Sequence, residues 1–174
     1  IFFFWLLKIQ MKNKNNLFIG VAGIIAAGKT TFTKDLSKHF NCKAYFEPVK
    51  ENPYLSDFYK DMKRWAGFMQ IHLLHARFKQ HQKIIWSEKG AVQDRTIYED
   101  TIFANMLKSA GYISEREMQT YNMSFEVMTR YLVYPDVIIY LNVNSRKAFE
   151  RINQRGRNIE KRITLDYLTT LHKG

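Results

Sequence analysis

The run Gly23-Ile24-Ile25-Ala26-Ala27-Gly28-Lys29-Thr30 constrains this chain more than any other feature. It lies between an apolar stretch, LFIGVA, and TFTKDLSKHF, whose apolar residues recur at helical spacing. Two glycines with four residues between them, followed by lysine and a hydroxyl residue, form the P-loop pattern. The glycines let the chain turn so that backbone N–H groups aim at phosphate oxygens, Lys29 reaches the outer phosphates, and the Thr30 hydroxyl can ligand magnesium. An ordinary glycine turn at a strand–helix junction would not need all four positions. The residues expected to hold phosphate are therefore Gly23, Ala26, Ala27, Gly28, Lys29, Thr30 and Thr31.

A P-loop after the first strand restricts what can follow. The pattern predicts strands at 17–22, near 43–47, at 91–93 and at 137–143, with helices at 29–40, 54–60, 64–86, 98–109 and 114–132. The run VIIYLNV from Val137 to Val143 is almost continuously apolar and reads as a central strand covered on both faces. The expected fold is α/β: a three-layer P-loop architecture, doubly wound, with a central parallel sheet flanked by helices and chemistry at the carboxyl ends of the strands. Glu47 and Asp94 both fall at such ends. With 174 residues, 46% of them hydrophobic, one domain with a sizeable core is expected.

The two termini read differently from the rest. Ile1–Leu7, IFFFWLL, is apolar but too short to span a bilayer. Met11 opens a polar run into the first strand, so residues 1–10 are expected to be an upstream extension and 11–174 the domain proper. LHKG closes the chain inside an apparent helix, and truncation is expected there. The single cysteine, Cys42, can form no internal disulfide, which suits a reducing, cytoplasmic compartment.

Four further groups carry chemistry. Glu47-Pro48-Val49 places a carboxylate at a strand end where it could take a proton, or else is a surface glutamate before a loop proline. YKDMKRWAGFMQIHLLHARF contains Tyr59, Trp65, Gln70 and Arg77; Gln70 and Arg77, seven residues apart, share a helix face. An amide offers the donor and acceptor needed to read a base edge, although Gln70 could equally be a helix-surface amide and Trp65 a core residue. His72 and His75 lack a third ligand, and no metal site is expected there. Asp94-Arg95-Thr96-Ile97-Tyr98-Glu99-Asp100 sets an acid and an arginine just after a strand, while Glu99 and Asp100 also suit a helix N-terminus. Arg151, Arg155 and Arg157, in a turn-rich segment ending at Glu160, could neutralise transferring phosphoryl oxygens or form a solvated basic helix end.

Together with the P-loop, these groups resemble the deoxynucleoside kinase family over about Leu17 to His172. The resemblance implies ATP as donor, Mg2+ as cofactor and a deoxynucleoside as acceptor. It makes Glu47 the base for the 5′-hydroxyl, with Lys29 and Arg95 completing the catalytic set. Tyr59 would contact the sugar, Glu160 the 3′-hydroxyl, and Gln70, Arg77 and Asp100 the base, with Phe103 either stacking on the base or packing in the core. Thr30 and Asp94 would support magnesium, and Arg151, Arg155 and Arg157 would form a lid over the donor phosphates. The sequence departs from the family at Asp94 (usually glutamate), Thr96 (usually serine) and Ile24 (commonly asparagine), and lacks the family's closing strand and adenine-packing loop. NPYLSDFYKDMKRW is more like the bacterial purine-preferring members, and the family commonly forms homodimers through helices such as those expected at 54–86 and 98–132.

Two other classes compete. A thymidylate-type monophosphate kinase would share the P-loop, an Asp-Arg motif and an arginine lid, but Glu47-Pro48-Val49 with Gln70 and Arg77 speaks against it. A net charge of +11 raises nucleic-acid binding, yet the basic residues are dispersed and no aromatic–basic recognition motif appears, so no specific nucleic-acid or membrane partner is expected. A non-catalytic nucleotide-binding remnant is the remaining alternative.

Overall fold

The computed structural model describes residues 16–47, 52–87, 89–157, 160 and 162–173. The expected extension at 1–10, the start at Met11, and Pro48 and Val49 of the Glu47 group lie outside them.

Strand β1 (Phe18–Ala22) is buried along its whole length, as an apolar strand covered on both faces should be. It pairs in parallel with β3 (Ala91–Asp94) on one side and β4 (Val137–Tyr140) on the other, and β2 (Lys43–Tyr45) lies outside β3. The order is therefore β2-β3-β1-β4. The connection after β1 passes over β3 to β2, whereas the one after β3 passes over β1 to β4. The chain thus leaves these neighbours in opposite directions and opens a crevice at their carboxyl ends.

Helix α1 (Lys29–His39) packs Phe32 and Leu36 against Ile19, Val21 and Val92 on one face of the sheet. The larger core gathers Phe58, Leu74, Leu107, Tyr121 and Leu168 from α2 (Leu55–Lys60), α3 (Met62–Trp86), α4 (Asp100–Ser109), α5 (Glu115–Thr129) and α7 (Leu165–Lys173). Local capping sets several boundaries. Asp61 accepts the Arg64 N–H at 3.1 Å to start α3, and Ser114 with Glu117 forms a reciprocal capping box for α5.

Two expectations need correction. The VIIYLNV run is not a central strand: β4 is at the sheet edge, ends at Tyr140, and leaves Ile138 and Tyr140 51% and 53% exposed. Continuous apolarity shows that a strand tolerates burial on both faces, but its neighbours decide whether it receives it. The basic segment is helical in its first part. Arg151 and Arg155 lie on α6 (Ser145–Arg155), capped by Asn144 and ended by Gly156 at φ +60°. Ala148 and Ile152, four residues apart, are its buried face, a helical spacing that the sequence already carried.

Gly20, in the middle of β1, admits no side chain: a Cβ there would lie 2.6 Å from Thr96 Cγ2. Gly20→Ala should therefore cost about 1–3 kcal/mol through overpacking. Thermal unfolding measures this, and an unchanged melting temperature would refute it.

Candidate active site

The carboxyl ends of β1, β2 and β3 supply the floor of the crevice. After β1 the chain enters the P-loop at Gly23, whose φ is +142° and where a Cβ would approach the Leu141 carbonyl oxygen to 2.8 Å. Only glycine fits both restrictions. Gly28, at φ +100°, begins α1, so free helix N–H groups point into the loop. Lys29 is buried and donates hydrogen bonds to the carbonyls of Gly23 and Ile24, each at 2.9 Å. Burial, and next the Arg95 charge, lower its pKa to about 7.

That value gives a measurable consequence. A polyphosphate placed against Lys29 would restore its charge, so binding at this loop should take up protons at pH above 7. Calorimetric titration with ATP at pH 8 in buffers of different ionisation enthalpy should show this uptake, and Lys29→Met should lose it. A buffer-independent enthalpy would refute the coupling.

The Thr30 hydroxyl donates to Asp94 Oδ2 at 2.6 Å across the crevice, while Asp94 Oδ1 is buried without a hydrogen-bond partner. Burial raises the Asp94 carboxyl above its ordinary range. Two hard oxygen donors with an unused lone pair suit magnesium. Thr31 is exposed in the same helical turn, and Ala26 and Ala27 turn their carbonyls to Arg151 Nη1, at 3.3 and 3.2 Å.

Arg95 follows directly on β3 with a left-handed backbone, φ +66°, a conformation that costs about 1–3 kcal/mol for a non-glycine residue. Its Nη2 donates to the Gly23 carbonyl at 3.3 Å, and its guanidinium lies 3.7 Å from both Glu47 and Glu99. The Phe103 ring is 4.4 Å from the Arg95 guanidinium carbon, so Phe103 supports that arginine and also packs against the main core.

Arg77, reaching in from α3, is 2% exposed and hydrogen-bonds Glu47 with one terminal nitrogen and Asp100 with the other. Asp100 is accordingly not a solvated helix-end carboxylate. Burial pushes it up to about 6 against the pull of Arg77. Burial would also raise Glu47, but Arg77, Arg95 and Lys29 together outweigh it and hold the carboxyl below its ordinary value. Gln70, two turns before Arg77, is buried with its Oε1 unpartnered, which rules out a helix-surface amide. Trp65 is half-buried against Tyr54 and Phe68.

At the far side, Tyr59 near the end of α2 has its phenol pKa raised by burial and then by Tyr167 and Glu160. Glu160 receives two hydrogen bonds from Arg155, each 2.6 Å, and lies 3.6 Å from Arg157. Of these three arginines, Arg151 is therefore on the P-loop, while Arg155 and Arg157 are on Glu160.

Sequence reasoning missed two residues. Glu99 accepts the Gly23 N–H and the Thr96 N–H, both at 3.2 Å, and so links the P-loop to the Asp94-Arg95 segment. Thr96-x-x-Glu99 is a visible capping-box spacing that could have pointed to it. Tyr167, pushed up to about 12 by burial, feels Arg95 and neighbours Tyr59, and nothing in its local pattern marks it. Among the described residues no group of three or more His, Cys, Asp or Glu could hold a metal, and no helix is long and apolar enough to cross a membrane.

A carboxylate, a buried lysine and two buried guanidinium groups around one crevice can deprotonate a hydroxyl and neutralise a phosphoryl group beside it. Comparison with known proteins agrees. The family model described as deoxynucleoside kinase matches residues 19–174. A deoxyadenosine kinase of Dictyostelium discoideum is 46% identical over 165 residues, covering 95% of this chain and 67% of the relative. A deoxyadenosine/deoxycytidine kinase of Bacillus subtilis (strain 168) is 44% identical over 160 residues, covering 90% and 74%. The solved structure of deoxyadenosine kinase from M. mycoides with bound dATP superposes with a TM-score of 0.80 at 34% identity, covering 90% of this chain and 80% of that one.

Proposed function

This chain belongs to the deoxynucleoside kinase family, and from that premise we propose that it transfers the γ-phosphoryl group of ATP to the 5′-hydroxyl of a purine deoxynucleoside. The observation that carries the reading is Glu47, held ionised by Arg77 and Arg95 in the electrostatic reach of the P-loop Lys29. A base is thereby set beside a phosphate cradle.

In this mechanism Glu47 takes the proton of the 5′-hydroxyl as that oxygen bonds to the γ-phosphorus. The bond to the bridging oxygen breaks, and ADP leaves with its electron pair. Lys29 and Arg95 neutralise charge on the transferring group. Thr30 and Asp94 would hold a magnesium ion, which when bound offsets charge on the donor phosphates. Arg151, Arg155 and Arg157 form the lid side. Tyr59 and Glu160 take the 3′-hydroxyl, and Gln70, Arg77 and Asp100 the base. The free Gln70 Oε1 suits an exocyclic amine, which fits the relatives named for deoxyadenosine.

We assign the kinase domain to residues 11–174 and place it in a reducing, cytoplasmic compartment, on the strength of the lone Cys42. Homodimer formation is supported by an exposed apolar stripe, Met123, Val127 and Tyr131, spaced four residues apart along and just beyond α5. The mass in solution tests it.

The activity is tested by transfer of labelled phosphate from ATP to each of the four deoxynucleosides. Preferential labelling of deoxyadenosine or deoxyguanosine is expected. Transfer to added dTMP instead, giving labelled dTDP, or no transfer by a folded chain that binds ATP, would overturn the reading.

A further inference from the structure

Helix α2 is only six residues long, and its last carbonyls have no partner within the helix. Two of them are met from 102 and 103 residues away: Arg162 Nη1 donates to the Tyr59 carbonyl at 2.9 Å and to the Lys60 carbonyl at 3.3 Å. A guanidinium there also complements the negative end of the helix.

The identity of the residues at both ends of this link matters more than its strength. The carbonyl that Arg162 holds belongs to Tyr59, whose buried phenol lies within electrostatic reach of Tyr167 and Glu160. Glu160 lies two residues before Arg162, and the turn between them is closed by the Ile163 N–H donating to the Glu160 carbonyl at 3.0 Å, with Ile163 buried in the core. One short segment therefore supplies the Glu160 carboxylate and the clasp on Tyr59.

We propose that Arg162 is a positioning residue that fixes Tyr59 against Glu160 and so sets the enzyme's selectivity for a nucleoside 3′-hydroxyl. The inference rests on the reading above that Tyr59 and Glu160 take that hydroxyl. Arg162 acts on the backbone of α2. It removes the freedom of α2 to move away from the Glu160 turn, so the two groups meet the hydroxyl at a set separation.

The test compares kcat/KM for 2′-deoxyadenosine and 2′,3′-dideoxyadenosine in the wild-type chain, Arg162→Ala and Arg162→Lys. The wild type prefers the substrate with the 3′-hydroxyl. Arg162→Ala raises KM for that substrate about tenfold, the worth of a charge-assisted hydrogen bond, and leaves the dideoxy analogue and the KM for ATP unchanged. Arg162→Lys, with a donor for one carbonyl, recovers part of the preference. A general loss of structure would lower both substrates together, and that result overturns the clasp. A wild-type preference that survives intact in Arg162→Ala also overturns the clasp alone. Wild-type indifference to the 3′-hydroxyl overturns the assignment of Tyr59 and Glu160, and the clasp with it.

Discussion

Glu47→Gln should lower kcat by about 10²- to 10⁴-fold, the usual contribution of a general base, while the chain still folds and binds ATP. Glutamine keeps the size and an acceptor oxygen, so hydrogen bonding to Arg77 survives in part and only the proton-accepting capacity is lost. Retention of a tenth or more of wild-type turnover would remove Glu47 from the base role. The pH profile adds an independent check. Burial alone would raise the Glu47 carboxyl, but Arg77, Arg95 and Lys29 hold it below the ordinary carboxylate range. The group is then already ionised where a free glutamate would begin to titrate, so the acid limb of kcat/KM should lie below that range. The associated stability has the same sign: it is fully present above the unfolded carboxylate value and is lost as pH falls through the lower, folded one.

Arg77→Met should be the most damaging single change to stability. The guanidinium is 2% exposed and neutralises two carboxylates; methionine would leave Asp100 buried and unpaired and Glu47 with only the 3.7 Å contact to Arg95. Breaking a buried pair from one side costs about 3–5 kcal/mol, or a melting temperature lower by about 10 °C for a chain of this size. The loss should shrink in acid. Asp100 already has its folded value raised to about 6, so its ionised form costs stability as pH rises toward that value, and without Arg77 that cost grows. Thermal melts at pH 5 and pH 8 measure both effects. A variant as stable as the wild type at pH 8 would show that the carboxylates find other partners.

The two substitutions also mark what could be read from the residues alone. Glycine spacing, the lysine and hydroxyl, and the apolar run before them located the P-loop because each is a local demand of backbone geometry. Glu47 and Asp94 were placed at strand ends for the same reason, as the end of an apolar run is local. Arg77 bridging Glu47 and Asp100 was not legible, since it needs α3, α4 and the end of β2 to converge across 30 and 23 residues. Arg151 on the P-loop carbonyls and Glu99 on the Gly23 N–H are contacts over 125 and 76 residues. The edge position of β4 escaped for a related reason: its own residues say nothing about which strand stands beside it.

The contact between Gly20 and Thr96 has a further consequence. Thr96 follows Arg95, so the middle of β1 and the Asp94-Arg95-Thr96 segment press against one another with no room for a methyl group. A side chain at position 20 would push on the segment that carries Asp94 and Arg95 as well as on the sheet. Laboratory evolution for heat resistance, which can gain by replacing glycine where the site has room, would lose twice at this position: an overpacked strand and a misplaced guanidinium. Selection at position 20 would then register in turnover as well as in melting temperature.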